Sequence, residues 1–382
     1  MTLRPTHPEE VQAAVKSYPC LLPRGGGSKP ALSTPPEGVP NLELSGLSGV
    51  LEYEPEEYTF TALAGTPVTE VETLLAQHGQ YLPFDPLLGQ QGATLGGTVA
   101  AGVNGPGRQR YGGVRDFLIG VRFVDGEGRL VRGGGKVVKN AAGFDLPKLM
   151  VGSLGRLGVL VELTFKVFPA PEAYATLKLD YPHLEIALTD IYRLATSSLE
   201  LHALDLEPVS EETRRRGGER DSSWMLWVRL GGLIEALPAR LERMREFLLS
   251  PRGGATAVEV IEPPAEEVLW QQVKGLEWVP ANWALIKIPL TLKRIPTLEA
   301  QLKGVEARRR YSAGGNLVWL AWPVSTTEKW SAKLDSLLTR LDLSGLVLLG
   351  PPGVVRLGVN PGASFARRVK QALDPVNRFL EM

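Results

Sequence analysis

Gly92-Ala93-Thr94-Leu95-Gly96-Gly97-Thr98-Val99-Ala100-Ala101-Gly102-Val103-Asn104-Gly105 is the stretch on which the reading of this chain turns. Nearly every side chain in it is small, so a large planar ligand can lie directly against the backbone. Thr94, Thr98 and Asn104 supply hydrogen-bond partners along the same run. A tightly packed small-residue helix explains Ala100 and Ala101 equally well, but it gives no reason for the adjacent pair Gly96-Gly97.

Upstream, Pro23-Arg24-Gly25-Gly26-Gly27-Ser28-Lys29 follows a short apolar segment, Cys20 to Leu22, that reads as a buried strand. Three successive glycines let consecutive backbone N–H groups converge on one point, a concavity suited to phosphate. Arg24 and Lys29 add positive charge and Ser28 a hydroxyl. An ordinary flexible glycine loop is the plain alternative. The chain contains neither G-x-x-x-x-G-K-[ST] nor G-x-G-x-x-G, so P-loop and Rossmann readings lose their main warrant.

Downstream, Tyr111-Gly112-Gly113-Val114-Arg115-Asp116, then Asp125-Gly126 with Gly133 to Gly135, then Gly152-Ser153-Leu154-Gly155-Arg156-Leu157-Gly158-Val159 continue the glycine-rich pattern. Between them the spacing predicts helices over 9–17 and 69–78, a hairpin of 118–124 with 129–132, and a strand over 159–168 ended by Pro169 and Pro171. Beyond Tyr174 glycines thin out. Strands are expected over 177–181, 223–230, 257–261, 283–289 and 317–323, an amphipathic helix over 234–249, and a last helix over 364–373. Arg214 to Arg220 reads as a charged loop, and Arg308-Arg309-Arg310-Tyr311 as a solvated helix end. Trp224, Trp227, Trp319 and Trp322 read as sheet-face packing or a subunit interface.

A chain of 382 residues with 43% hydrophobic and 22% charged residues is expected to fold into more than one unit. Lysine plus arginine equals aspartate plus glutamate at 42 each, so no global field draws it to nucleic acid or an anionic membrane. The single cysteine, Cys20, rules out an internal disulfide or an all-cysteine metal cluster. No signal peptide or membrane span is expected, which reads as cytoplasmic.

These glycine motifs, in this order and approximate spacing, resemble the PCMH-type FAD-binding (vanillyl-alcohol-oxidase) family, which includes D-lactate and glycolate dehydrogenases. Lys139-Asn140-Ala141-Ala142-Gly143-Phe144-Asp145-Leu146, with Lys148-Leu149-Met150, is closer still to the E subunits of bacterial glycolate oxidases. The resemblance implies an α+β fold: a two-subdomain PCMH-type FAD-binding domain over 1–170, and a smaller α+β cap with an antiparallel sheet over 171–363. A C-terminal helix and tail, 364–382, would return to the FAD domain. It implies noncovalent FAD. Pro23, with Arg24, Gly25, Gly26, Gly27 and Ser28, would wrap the pyrophosphate, and Thr94, Gly96, Gly97, Gly102, Asn104 and Gly105 would lie along pyrophosphate and flavin. Gly155, Gly158 and Val159 would approach adenosine and ring, and Pro86, with Pro83 and Asp85, belongs to the segment preceding the flavin. Asn377 or Arg378 in the tail is a further candidate contact.

The chain departs from its catalytic relatives in histidine. Only His7, His78, His183 and His202 exist, and none falls between Gly79 and Pro182. No covalent attachment point, no H-x-G-D-G-N-x-H segment, no metal ligand set and no base for a hydroxyl proton is apparent. His183 and His202 read as structural, and Asp116 as a salt bridge with Arg115. The implied function is a structural or electron-relaying FAD subunit of a glycolate oxidase complex, beside a catalytic sister flavin subunit and an iron–sulfur subunit, with any membrane association through these partners. Two alternatives stay open: a stand-alone FAD oxidoreductase with an arginine clamp drawn from Arg229, Lys287 or Arg356, or a scaffold that has lost FAD. Solvated or salt-bridged roles fit those three cations as well.

Overall fold

The computed structural model describes residues 1–135, 144–209, 223–250, 253–324 and 330–381. The Arg214 to Arg220 run and the Lys139 to Gly143 part of the segment quoted above lie outside the described residues.

The first half is built on two sheets. Thr2–Leu3, Asn41–Glu43 and Leu22–Arg24 form a three-stranded sheet with Asn41–Glu43 in the middle, paired in parallel on both sides. Val50–Glu54, Thr59–Leu63, Val159–Lys166, Leu118–Val124 and Leu130–Gly134 form, in that spatial order, a five-stranded antiparallel sheet. Val159–Lys166 takes the centre with Val159, Val161, Leu163 and Phe165 fully buried on one face, while Glu162 and Thr164 on the other meet Arg122 and Thr61 of the flanking strands. Val68–Ala76 packs Val68, Val71 and Leu75 into the core, and the chain leaves it through Gly79 at φ +62. Phe168–Pro169 turns off the central strand to pair with Gln80–Tyr81.

The second half is one nine-stranded sheet. Its order is Ala257–Ile261, Ala173–Tyr181, Trp224–Gly232, Ala203–Pro208, Arg308–Ser312, Leu317–Pro323, Trp283–Pro289, Ser344–Leu349 and Arg356–Gly358, and every pairing is antiparallel. Leu184–Ala195, Leu237–Leu249, Ile295–Leu302 and Trp330–Arg340 bury their apolar stripes in its core. The two-residue period of the strands divides the faces. In Trp283–Pro289, Ala284, Ile286 and Ile288 join that helix-covered core, whereas Leu285 joins the core of the first half, as do Leu317, Trp319, Ala321 and Leu348. Lys287 shares the register of Leu285, so it points at the seam between the halves.

The four tryptophans all pack inside, each at most 8% exposed. The arginine run is a correction. Arg308–Ser312 is a strand, Arg310 is 3% exposed, and its guanidinium is held 2.8 Å from both Asp205 and Glu207. The alternation of a strand buries one cation of such a run, and here two carboxylates from the neighbouring strand balance it.

The tail returns to the first half. Leu21 bridges Phe379 in parallel, and the Leu21 amide donates to the Arg378 carbonyl at 2.8 Å. Lys370 and Asp374, both almost fully buried, fix it: the ammonium donates to Asp374 Oδ2 and to the Phe379 carbonyl, while Asp374 accepts the Arg378 and Phe379 amides.

Candidate functional site

The strand Leu22–Arg24 delivers the chain into the triple-glycine loop, two residues later than the sequence pattern predicts. Across from the loop, Leu95–Ala101 forms a short helix whose N-cap Thr94 accepts the Gly97 amide at 3.2 Å. Loop and helix start press against each other. A Cβ on Gly26 would lie 1.8 Å from the Gly92 carbonyl oxygen, and one on Gly25 would lie 2.2 Å from Thr94 Oγ1. Only glycine permits that approach.

Together they wall a cleft. Pro23, Arg24, Gly25, Gly26, Gly27 and Ser28 form one side, Thr94, Gly96 and Gly97 another, and Gly155 and Gly158 close it from the turn before the central strand. Lys29, Leu32, Ser33, Leu44, Ala64, Ala100, Ala101, Leu154 and Leu160 complete the lining. Of these, Leu44, Ala64 and Leu160 lie on core elements and carry no glycine-type signal in the sequence. Ala64 is placed by packing, since a Cβ on Gly96 would meet it at 2.8 Å.

The cleft is electropositive and under-satisfied. Lys29 is 5% exposed, and among the described residues its ammonium bonds Ser28 Oγ, at 3.2 Å, and meets no carboxylate. Burial pushes its ammonium down to about 8. Arg24 Nε is buried with no hydrogen-bond partner. A buried cation and an orphaned guanidinium N–H, beside a loop that crowds out every Cβ, are what an anionic diphosphate needs from its host. FAD fits these residues on that ground.

The remaining candidates fall elsewhere. Gly102 and Asn104 face a second cavity, which shares Ala101 and Leu154 with the first. Asn104 Oδ1 accepts the Val114 amide at 2.5 Å, so it also shapes the Tyr111–Asp116 loop. Gly105 packs on Asp85, where a Cβ would lie 2.3 Å from the carbonyl oxygen. Pro86 lines a separate surface recess with Glu72 and Lys274. Val159 is fully buried in the central strand opposite Val124. In the tail, Arg378 donates to the Tyr18 carbonyl at 2.7 Å. Asp116 accepts the Gly113 amide at 2.9 Å and caps its loop in place of the expected pairing with Arg115.

The histidines stand away from the cleft. His183 is the exposed residue before helix Leu184–Ala195. His202 is 3% exposed, packed edge-on against Tyr174 at 4.9 Å and Tyr111 at 5.8 Å, and stacked with Tyr81 at 6.2 Å. Burial, with Arg229 nearby, lowers its imidazole to about 3, so it stays neutral. Arg229 is held by Glu266 at 2.6 and 3.1 Å and lies over the Tyr174 ring at 3.9 Å, which uses up its charge. Among the described residues no group of three or more His, Cys, Asp or Glu is placed to hold a metal ion.

Comparison with known proteins agrees with this geometry. The family model for the FAD binding domain matches residues 1–134. Glycolate oxidase subunit GlcE of Escherichia coli (strain K12) is 39% identical over 211 residues, 55% of this chain and 60% of that protein. Glycolate oxidase subunit GlcD of Bacillus subtilis (strain 168) is 29% identical over 64% of this chain and 53% of its own length, and D-lactate dehydrogenase of Anaerostipes hadrus is 29% identical over 64% and 54%. The chain thus spans little more than half the length of these curated relatives. A solved structure of alkyldihydroxyacetonephosphate synthase shares the fold at a TM-score of 0.71 and 16% identity, over 98% of this chain and 74% of that one. The triple-glycine loop and the Gly92–Gly105 run both lie inside residues 1–134, the stretch that the FAD binding domain model matches.

Proposed function

We propose that this chain is the FAD-holding subunit of a glycolate oxidase type 2-hydroxy-acid dehydrogenase, working beside a catalytic sister flavin subunit and an iron–sulfur subunit. The observation that carries the reading is the cleft itself: glycines 25 and 26 at contact with Thr94 and Gly92, beside a buried Lys29 and a buried, unpartnered Arg24 Nε. Gly25 to Ser28 would hold the diphosphate through main-chain amides, and Lys29 would neutralise it. Thr94, Gly96, Gly97, Gly155 and Gly158 would bracket the rest, and Ala101 and Leu154 would pass the flavin end toward the second cavity. When bound, FAD supplies two-electron oxidation of an alcohol.

The division of labour rests on the histidines. His202 is sealed among tyrosines and kept neutral, and the cleft lining contains no histidine. A proton acceptor for a substrate hydroxyl is thus assigned to the sister subunit. In this reading residues 1–170 form the cofactor domain, 171–363 the cap and 364–382 the returning tail. Among the described residues no helix is long and apolar enough to cross a membrane. We place the assembly in the cytoplasm, with any membrane contact made by its partners.

The chain purified alone should be yellow, yet turn over glycolate poorly with an artificial acceptor, and gain activity when the sister subunit is added. A colourless protein that takes up no added FAD removes the cofactor reading. Rapid turnover by the isolated chain removes the division of labour.

A further inference from the structure

Lys29 differs from the other lysines that the fold engages. Lys148, Lys178, Lys274 and Lys370 each meet a carboxylate, that of Asp145, Glu259, Asp85 and Asp374 in turn. Lys287 gives its ammonium to the Gly102 carbonyl, at the C-terminal end of the glycine helix. Lys29 has Ser28 Oγ at 3.2 Å and, among the described residues, no carboxylate. It lines the cleft directly after Gly25, Gly26, Gly27 and Ser28, whose main chain suits a phosphate.

An amine in that position is a nucleophile next to a phosphate cradle. Burial without a counter-charge disfavours the ammonium and holds it at about 8, so at pH 8 about half of the side chain is free amine. An exposed lysine titrating at about 10.4 is less than about 1% free amine at that pH. With FAD bound, the diphosphate fills the loop and pairs the ammonium. In the empty cleft a small acyl phosphate meets both parts of the arrangement. Its phosphate suits the loop amides and Arg24, whose Nε is buried and unpartnered. Its acyl carbon, one oxygen removed from phosphorus, suits the amine of the next residue along.

We propose that Lys29 is an acylation site: in the FAD-free chain the glycine loop binds the phosphate of a small acyl phosphate and Lys29 takes the acyl group, which closes the cleft to the cofactor. The inference rests on the cofactor reading, since the same loop and the same lysine hold the diphosphate there. The Lys29 nitrogen attacks the acyl carbon, a C–N bond forms, and the C–O bond to phosphate breaks. Inorganic phosphate leaves with the proton that the nitrogen loses. The product is a neutral amide, which removes a cation that the diphosphate needs and adds bulk inside the cleft.

The test uses the full chain freed of flavin, treated with acetyl phosphate at pH 8, with the modified sites located by peptide mass spectrometry. Lys29 should be acetylated at least tenfold faster than the exposed Lys16 and Lys303, and saturating FAD or inorganic phosphate should slow it at least tenfold. With the N-hydroxysuccinimide ester of acetic acid, which carries no phosphate, the preference for Lys29 should fall at least tenfold. Gly26→Val should have the same effect with acetyl phosphate, and should that variant fail to fold, phosphate protection in the parent chain decides. The acetylated chain should bind FAD at least tenfold more weakly than the unmodified one. Lys29 labelled no faster than Lys16, an equal preference with the ester, no protection by phosphate, or an acetylated chain that binds FAD within twofold of the parent overturns the proposal. A chain that takes up no FAD removes the cofactor reading by itself, and labelling with phosphate protection still decides the acylation site.

Discussion

Gly26→Ala is the sharpest perturbation of the cofactor cleft. The added Cβ would stand 1.8 Å from the Gly92 carbonyl oxygen, roughly 1.5 Å short of an ordinary C···O contact. The obstacle is backbone, held by the Gly92 amide bond to the Gly89 carbonyl at 3.0 Å, so no side chain can rotate away. The triple-glycine loop must therefore lift off the Gly92–Gly97 segment. A lift of that size takes an amide donor out of hydrogen-bond range of a diphosphate oxygen. Each amide bond to a charged oxygen is worth about 1.5–3 kcal/mol, so losing two weakens FAD by about 3–6 kcal/mol, two to four orders of magnitude in Kd. The apo fold should lose only the about 1–3 kcal/mol of an overpacked contact. Gly362→Ala is the control, since its φ is −87 and nothing lies within 4 Å of the added carbon. Flavin fluorescence quenching on apo protein reads the affinity, and thermal melts read the fold. An affinity for FAD within twofold of the parent in Gly26→Ala would refute the reasoning outright.

Three further predictions follow from buried charge. Lys29 titrates near 8 without ligand, and a bound diphosphate must raise that value, so FAD binding takes up a proton above pH 8. Affinity should be flat below pH 8 and fall as pH rises beyond it, by up to about tenfold per pH unit, and Lys29→Met should bind weakly without that slope; a wild-type profile level to pH 9.5 would sink this. His202, lowered to about 3 when folded, is protonated near 6.5 only once unfolded, so its burial costs stability progressively as pH drops below 6.5. The fall approaches about 1.4 kcal/mol per pH unit, and His202→Phe should flatten the melting-temperature profile between pH 7 and 5. Asp374→Asn leaves Lys370 buried without its counter-charge, a loss of about 3–5 kcal/mol by thermal or urea unfolding. FAD affinity should drop with it, because the tail bridges Leu21 one residue before the strand that carries the glycine loop.

The elements that positioned themselves legibly are those whose signals are local. The strand predicted over 159–168 is found as Val159–Lys166, and the strands over 257–261, 283–289 and 317–323 keep their expected limits, because each is an apolar run bounded by turn residues. The Arg308–Arg310 run misled for a definite reason. Three adjacent cations look solvated in isolation, and only pairing with Ala203–Pro208 brings Asp205 and Glu207 beside Arg310. Asp116 likewise has Arg115 as its sequence neighbour, but the turn at Gly112–Gly113 presents an amide closer than any guanidinium.

The same distinction separates the two cavities. The cofactor cleft is written in glycines, and a glycine announces itself wherever the backbone must come close, so Gly25, Gly26, Gly96 and Gly97 could be picked out before any contact was known. The second cavity is lined by ordinary cations that carry no such signal. Lys287 sits in an apolar strand, 185 residues from the carbonyl it bonds, and nothing in its neighbours tells a solvated lysine from one turned inward. Only the register of Trp283–Pro289 against Leu317–Pro323, and the packing of that face on the glycine domain, turn it inward. The surroundings of a charge are therefore a signal that strand pairing must reveal, whereas those of a glycine are already implied by its place in the sequence.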